Sequence, residues 1–263
     1  MKQKNKHGVF IPTPVTIGPT FDHGYITGFI LGDGCATKGS YLVHGKKTPN
    51  YKVLVGTTVK QTAEHFRDKM QATFPQLSPY FRETTHKYKD GRIPYFEVWV
   101  SSKEFWGFIR PLKLPDFAWR FPGELGSEDF KRGFLQGIFD AEGCIYQNHG
   151  KRGFPSYDTL YWRIEIGQKQ RGNLDQICTL LREFNISGVI SPENNSHMWK
   201  LTIAKRDQVL LFCKEVSFAL PKKEERAANA LKELSVPKCN PVPLERRKQI
   251  SKIALMARWH PKE

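Results

Sequence analysis

The apolar run GYITGFIL (Gly24–Leu31) carries glycine at every fourth position, Gly24, Gly28 and Gly32, and closes on an acid, Asp33. Each interior glycine costs a helix about 1 kcal/mol relative to alanine. Positions i, i+4 and i+8 share one helix face, and a face without side chains admits a second backbone at close range. The pattern returns 109 residues on. Gly133, Gly137 and Ala141 fall on Gly24, Gly28 and Gly32; Phe134, Leu135, Ile138 and Phe139 fall on Tyr25, Ile26, Phe29 and Ile30; Glu142 falls on Asp33. The simplest partner for the first stripe is the second. Two helices, about 22–33 and 128–142, are expected to pack side by side about a pseudo-two-fold axis.

The periodicity downstream repeats as well. Alternation such as Val53 and Val55, or Ile164 and Ile166, predicts strands buried on one face. The hairpins fall near 35–45 with 51–59, and near 144–149 with 158–168. Amphipathic helices follow, on Ala63, Phe66 and Met70 and on Leu174, Ile177, Leu181 and Phe184. Second hairpins are expected near 80–88 with 94–101, and near 186–192 with 198–204. FEVWVSSKEFWGFI (Phe96–Ile109) resembles WKLTIAKRDQVLLF (Trp199–Phe212), and helices near 103–110 and 206–218 close the halves. The fold class is therefore α+β: two pseudo-symmetric αββαββα halves, residues 21–110 and 127–236. A Pro- and Gly-rich linker (111–126) joins them, and a basic N-terminal arm (1–20) and a basic C-terminal tail (237–263) flank them. Ser127, with Glu128 and Asp129 behind it, reads as a helix N-cap.

Charge narrows the partners. Lys and Arg number 41 against 26 Asp and Glu, a net charge of +15 with a pI near 9.6, which attracts polyanions. No run reaches the roughly 18 apolar residues of a membrane span, and the N-terminus lacks the apolar core of a signal peptide. An intracellular protein is expected, in a bacterial or archaeal cytoplasm or an organelle matrix. Five scattered cysteines without a C-x-x-C pair fit a reduced compartment without structural zinc.

Paired parallel helices bring Asp33 and Glu142 out together at the axis. Adjacent carboxylates resist joint ionisation, a conflict that divalent cations relieve. Oxygen ligands with retained water suit Mg²⁺, and metal ions with a basic chain point to phosphodiester cleavage. The alternative is that Gly34 and Gly143 are left-handed helix caps and the acids merely solvated ends; two aligned copies argue against it.

ITGFILGDG (Ile26–Gly34) and LQGIFDAEG (Leu135–Gly143) resemble the two signature helices of the single-chain, two-motif LAGLIDADG homing endonucleases. That resemblance, spanning roughly residues 20–220, implies a saddle of antiparallel sheets in the DNA major groove. It also implies a monomer holding two or three Mg²⁺ ions near the pseudo-two-fold axis, and double-strand cleavage at a long asymmetric target. Asp33 and Glu142, with Gly32 and Ala141 before them, are the metal positions. Asp140, at signature position six where the first copy has Leu31, is assigned to capping or bridging. Lys60 and Lys169, which share the 109 offset, are the candidate basic catalytic residues, with Gln168 a weaker one. An intron-borne or free-standing gene is implied. An intron RNA maturase, or a DNA-binding regulator that does not cut, is the alternative.

Base reading needs polar donors on strands. The first half offers Ser40, His44, Lys46, Lys47, Lys52, Arg82, Thr84 and Lys87. The second offers Gln147, Lys151, Arg152, Arg163, Asn194, His197 and Lys200.

Overall fold

A computed structural model describes residues 15–43, 45–88, 91–149, 160–193 and 196–236. The first half runs α1 (Phe21–Asp33), β1 (Gly34–Val43), β2 (Lys46–Thr57), α2 (Lys60–Thr73), β3 (Tyr80–Tyr88), β4 (Gly91–Ser101) and α3 (Lys103–Leu112). The second runs α4 (Glu128–Glu142), β5 (Gly143–His149), β6 (Leu160–Gln168), α5 (Arg171–Glu183), β7 (Val189–Pro192), β8 (Trp199–Ile203) and α6 (Arg206–Glu215), and α7 (Pro221–Ser235) follows. Each half holds one antiparallel four-stranded sheet, ordered β1-β2-β4-β3 and β5-β6-β8-β7. The expected αββαββα repeat is thus present twice.

The glycine stripes meet as the spacing requires. A Cβ on Gly24 would run into the carbonyl oxygen of Phe130, and one on Gly28 into that of Phe134. Reciprocally, a Cβ on Gly133 would strike the oxygen of Phe21, and one on Gly137 that of Tyr25. Both pairings advance together along the chain, so α1 and α4 run parallel with their backbones in contact. Thr20 caps α1 by accepting from His23 N, and Ser127 caps α4 by accepting from Phe130 N at 3.1 Å. Each half then builds its own core against its sheet. Phe29, Phe66, Met70, Val98 and Phe105 centre the first; Phe134, Ile138, Phe139, Ile164 and Leu201 belong to the second.

The structure settles one alternative and departs from the sequence reading in two places. Gly34 and Gly143 are extended, at φ −93° and −88°, so the left-handed caps that the repeat argued against are absent. Glycine is needed there for space: a Cβ on Gly34 would meet Ile30 O at 2.8 Å, and one on Gly143 would meet Phe139 O at 2.7 Å. As the first departure, α3 continues through Pro111 into the expected linker, whose Trp119 is buried. Gln176 clasps that segment: its Oε1 accepts from Phe121 N at 2.9 Å and its Nε2 donates to Trp119 O at 2.8 Å. Second, α7 was not anticipated. Its Ala227 and Ala230 are buried in the second core, and Leu231 and Leu234 pack beside them, an i, i+3, i+4, i+7 stripe flanked by Lys and Glu.

Candidate active site and nucleic-acid interface

Asp33 is the last residue of α1 and Glu142 the last of α4. The two ends abut: a Cβ on Gly32 would come 2.6 Å from Ala141 Cβ and 3.0 Å from Glu142 Cγ. Both residues keep solvent access at the helix ends although neighbouring protein partly desolvates their carboxylates. Lost solvation, and next the Glu142 carboxylate, push Asp33 up to about 7. Lost solvation also raises Glu142. A helix C-terminus, where carbonyl dipoles present negative charge, is itself a poor place for an acid.

Two lysines answer that negative charge. Lys113, just past α3, donates from Nζ to Gly34 O and, at 3.4 Å, to Leu31 O. Lys223, in the first turn of α7, donates to Phe139 O at 3.1 Å and to Asp140 O. Burial lowers the pKa of each ammonium, and both act to lower Asp33 and Glu142. Sequence reasoning missed both by placing one in a linker and the other beyond the expected last helix. A repeat signal existed: Pro111-Leu-Lys113 and Pro221-Lys-Lys223 are 110 residues apart, one off the register set by the acids.

Of the lysines singled out from sequence, one lies apart from the acids and the other shares a pocket with Glu142. Lys60 opens α2, exposed, 4.0 Å from Glu64. Lys169 lines a pocket with Glu142, Gly167, Gln168, Met198 and Phe117, its ammonium 4.8 Å from the Phe117 ring centre. The cations that favour ionisation of both acids are Lys113 and Lys223, held against the C-terminal ends of α1 and α4. Gln168 does join the site. Asn173 Nδ2 donates to its Oε1 at 2.9 Å, leaving the amide to hydrogen-bond Glu142.

Antiparallel partners share a sheet face, so register sorts the candidate reading residues. In the first sheet, Val53, Val55, Val98 and Val100 are buried, and the opposite, open face carries Lys46, Lys52, Arg82 and Thr84. Trp99 centres that face: Tyr80 stacks on it at 5.4 Å, and Lys52 and Arg82 lie 5.1 and 5.6 Å from its rings. Arg82 also pairs with Glu97. Ser40, Lys47 and Lys87 fall one register off, on the other face, since side chains alternate with period two. In the second sheet, Arg163 and Lys200 share the open face with Glu165, which they approach at 3.7 and 3.5 Å. Gln147 is the correction there. It faces the core side, where its Nε2 donates to Glu233 of α7 at 2.9 Å alongside Trp162 Nε1 at 2.8 Å. His197 is exposed in the turn before β8. His44, Lys151, Arg152, Asn194, the tail and most of the N-terminal arm lie outside the described residues.

Residues 129–217 match a family model described as a LAGLIDADG-like domain. The I-DmoI endonuclease in complex with DNA and Ca superposes with a TM-score of 0.56 at 20% identity, covering 81% of this chain and 98% of that one. The second half thus carries a LAGLIDADG-like domain, and the chain as a whole shares the fold of that endonuclease. Among curated relatives, an uncharacterized protein of Methanocaldococcus jannaschii is 26% identical over 238 residues, 88% of this chain and 79% of that one. The tRNA-splicing ligase RtcB of Pyrococcus abyssi is 26% identical over 205 residues, covering 73% of this chain. This chain spans only 21% of that ligase's length.

The two paired helices exchange an apolar side chain for a carboxylate at one buried position: Leu31 of α1 corresponds to Asp140 of α4, which is 1% exposed. Asp140 Oδ2 accepts from Tyr25 OH at 2.9 Å, Ala219 N at 2.9 Å and Leu220 N at 3.2 Å. It therefore bridges α1, α4 and the start of α7, which carries Lys223. Burial raises its pKa to about 6 against the pull of those hydrogen bonds.

Proposed function

We propose that the chain is a site-specific DNA endonuclease that cuts both strands of a long asymmetric target by Mg²⁺-dependent phosphodiester hydrolysis, acting as a monomer. The observation that carries this reading is the junction of Asp33 and Glu142, one from each half, between two sheets with cationic open faces. The acids fit a divalent ion: both are hard oxygen donors whose pKa values are raised in a shared, partly desolvated site. Among the described residues no group of three or more His, Cys, Asp or Glu gathers, so backbone, water and phosphate oxygens would complete the ligand set. A bound ion would stabilise charge developing at the phosphate and acidify water. This chain's part is to present the two carboxylates side by side, to keep Lys113 and Lys223 against the helix ends, where they favour the ionised acids, and to fix the duplex on the sheets. One chain supplies both acids, so each strand meets its own carboxylate without a second copy.

The differing polar sets of the two sheets favour a target that is not a palindrome. Incubation with a plasmid library of genomic junctions, with and without Mg²⁺, tests the reading. The expected result is Mg²⁺-dependent linearisation of a discrete subset, lost in Asp33→Asn and Glu142→Gln while duplex binding persists. Binding without cutting under every divalent ion would instead support a regulator that keeps the fold. Cleavage undiminished in both variants would remove these acids from the site.

A further inference from the structure

After α3 the chain doubles back through five residues, Leu114–Ala118. Lys113 and Trp119 pair across the base of this loop, and Leu114 N donates to Ala118 O at 2.9 Å. The stem is fixed on both sides. Lys113 holds the end of α1, and buried Trp119 donates its backbone N–H to Asn173 Oδ1 at 3.1 Å. The tip is braced too: Gln170 Nε2 donates to Asp116 O at 3.0 Å, and Asn173 Nδ2 to Phe117 O at 2.9 Å. Asp116 and Phe117 both occupy left-handed backbone, at φ 56° and 64°, a conformation that consecutive non-glycine residues rarely hold without a reason outside the fold.

What the bracing displays is an aromatic ring. Phe117 is 75% exposed and Leu114, beside Pro115, is 44% exposed. The braces reach only backbone atoms, so another side chain unbranched at Cβ would keep them at 117, and the ring adds little to the core. It stands in the pocket that Glu142 lines, with the Lys169 ammonium against it. A phosphodiester chain that reaches Glu142 passes this ring, with a cation at hand for the phosphate and an apolar surface for what the phosphate carries. Apolar side chains on rigid supports act on duplexes by wedging into a base step and holding it unstacked and bent, at a cost that depends on the step.

We propose that the Leu114–Ala118 loop is a wedge whose Phe117 packs into a base step at the centre of the target, bending the duplex so that its phosphates reach Asp33 and Glu142. This rests on the endonuclease reading for its substrate, duplex DNA. The test uses a 30-bp duplex enriched from a random pool by binding to the whole protein in Ca²⁺, with 2-aminopurine replacing single adenines through its centre. Binding of the wild type should raise emission several-fold at one central step. Phe117→Ala should melt like the wild type, bind about tenfold more weakly, the loss of one stacking contact, and leave emission flat. Phe117→Leu should restore part of the signal, and a mismatch at the responsive step should restore affinity to Phe117→Ala. Emission that stays flat with the wild type, or rises equally with Phe117→Ala, would overturn the wedge. A pool without enrichment would overturn duplex DNA as its occupant. Cleavage in Mg²⁺ is scored separately: a wedge signal without cutting counts against the nuclease reading alone, and cutting with flat emission against the wedge alone.

Discussion

Replacing Gly28 with alanine sets two opposed terms against each other. Helix propensity alone favours the substitution by about 1 kcal/mol. In the folded chain the new Cβ lands on Phe134 O and 3.0 Å from Ile138 N. These are backbone atoms, with no flexible end to swing aside, so α1 and α4 must part by on the order of 1 Å to recover ordinary spacing. That separation also loosens the contacts at Gly24, Gly133 and Gly137. Overpacking costs about 1–3 kcal/mol; at the upper end, appropriate to a backbone clash, the net destabilisation is about 2 kcal/mol. For a chain of this size that lowers Tm by about 4–8 °C. Gly107 is the internal control. It lies exposed in α3 with nothing within 4 Å of a Cβ, so Gly107→Ala should gain up to about 1 kcal/mol and raise Tm by about 2–4 °C. Thermal melts of the two variants should move in opposite directions. If Gly28→Ala stabilises as Gly107→Ala does, the close contact between the helices is wrong.

Acidity gives a second measurement. Asp33 titrates at about 7 in the folded chain and about 3.9 when unfolded, so the folded state holds the proton more tightly. Its stabilisation is full below about pH 4 and is lost as pH rises through 7; in EDTA, Tm should fall from pH 5 to 8 more steeply for the wild type than for Asp33→Asn. Mg²⁺ binding and cutting should show the reverse, strengthening through pH 7 as the proton leaves. Lys113→Met and Lys223→Met should each slow cleavage by about 10–100-fold and move its pH profile upward, because both ammonium groups help to ionise the acids; an unmoved profile would refute that role. Affinity for any duplex should fall with salt, with a slope of about −0.9 per neutralised phosphate. Arg163→Ala should relax preference at one or two base pairs, and a cleavage profile over single-base variants that stays unchanged would take Arg163 off the reading face.

Most of the architecture is written in local pattern. Strand alternation, helix periodicity and the Ser127 cap each depend on neighbours within a few residues, and the repeat states every element twice. Even the contact between α1 and α4 is legible, because a glycine stripe leaves few explanations other than a second backbone, and the contact in turn joins Asp33 to Glu142. What sequence could not supply are groups that reach the site from outside the two signature helices and their strands. Lys113 follows a helix that runs past its proline, Lys223 opens a helix that lies beyond the repeated αββαββα unit, and Phe117 is placed by the side chains of Gln170 and Asn173 at the start of α5. Asp140 shows the same division. Its departure from the repeat is visible as a letter, but only packing brings Tyr25, Ala219 and Leu220 to one of its oxygens. Propensity and period act along the chain and can be read there; burial, desolvation and the pairing of charges depend on distances through space, and only the tertiary structure sets those.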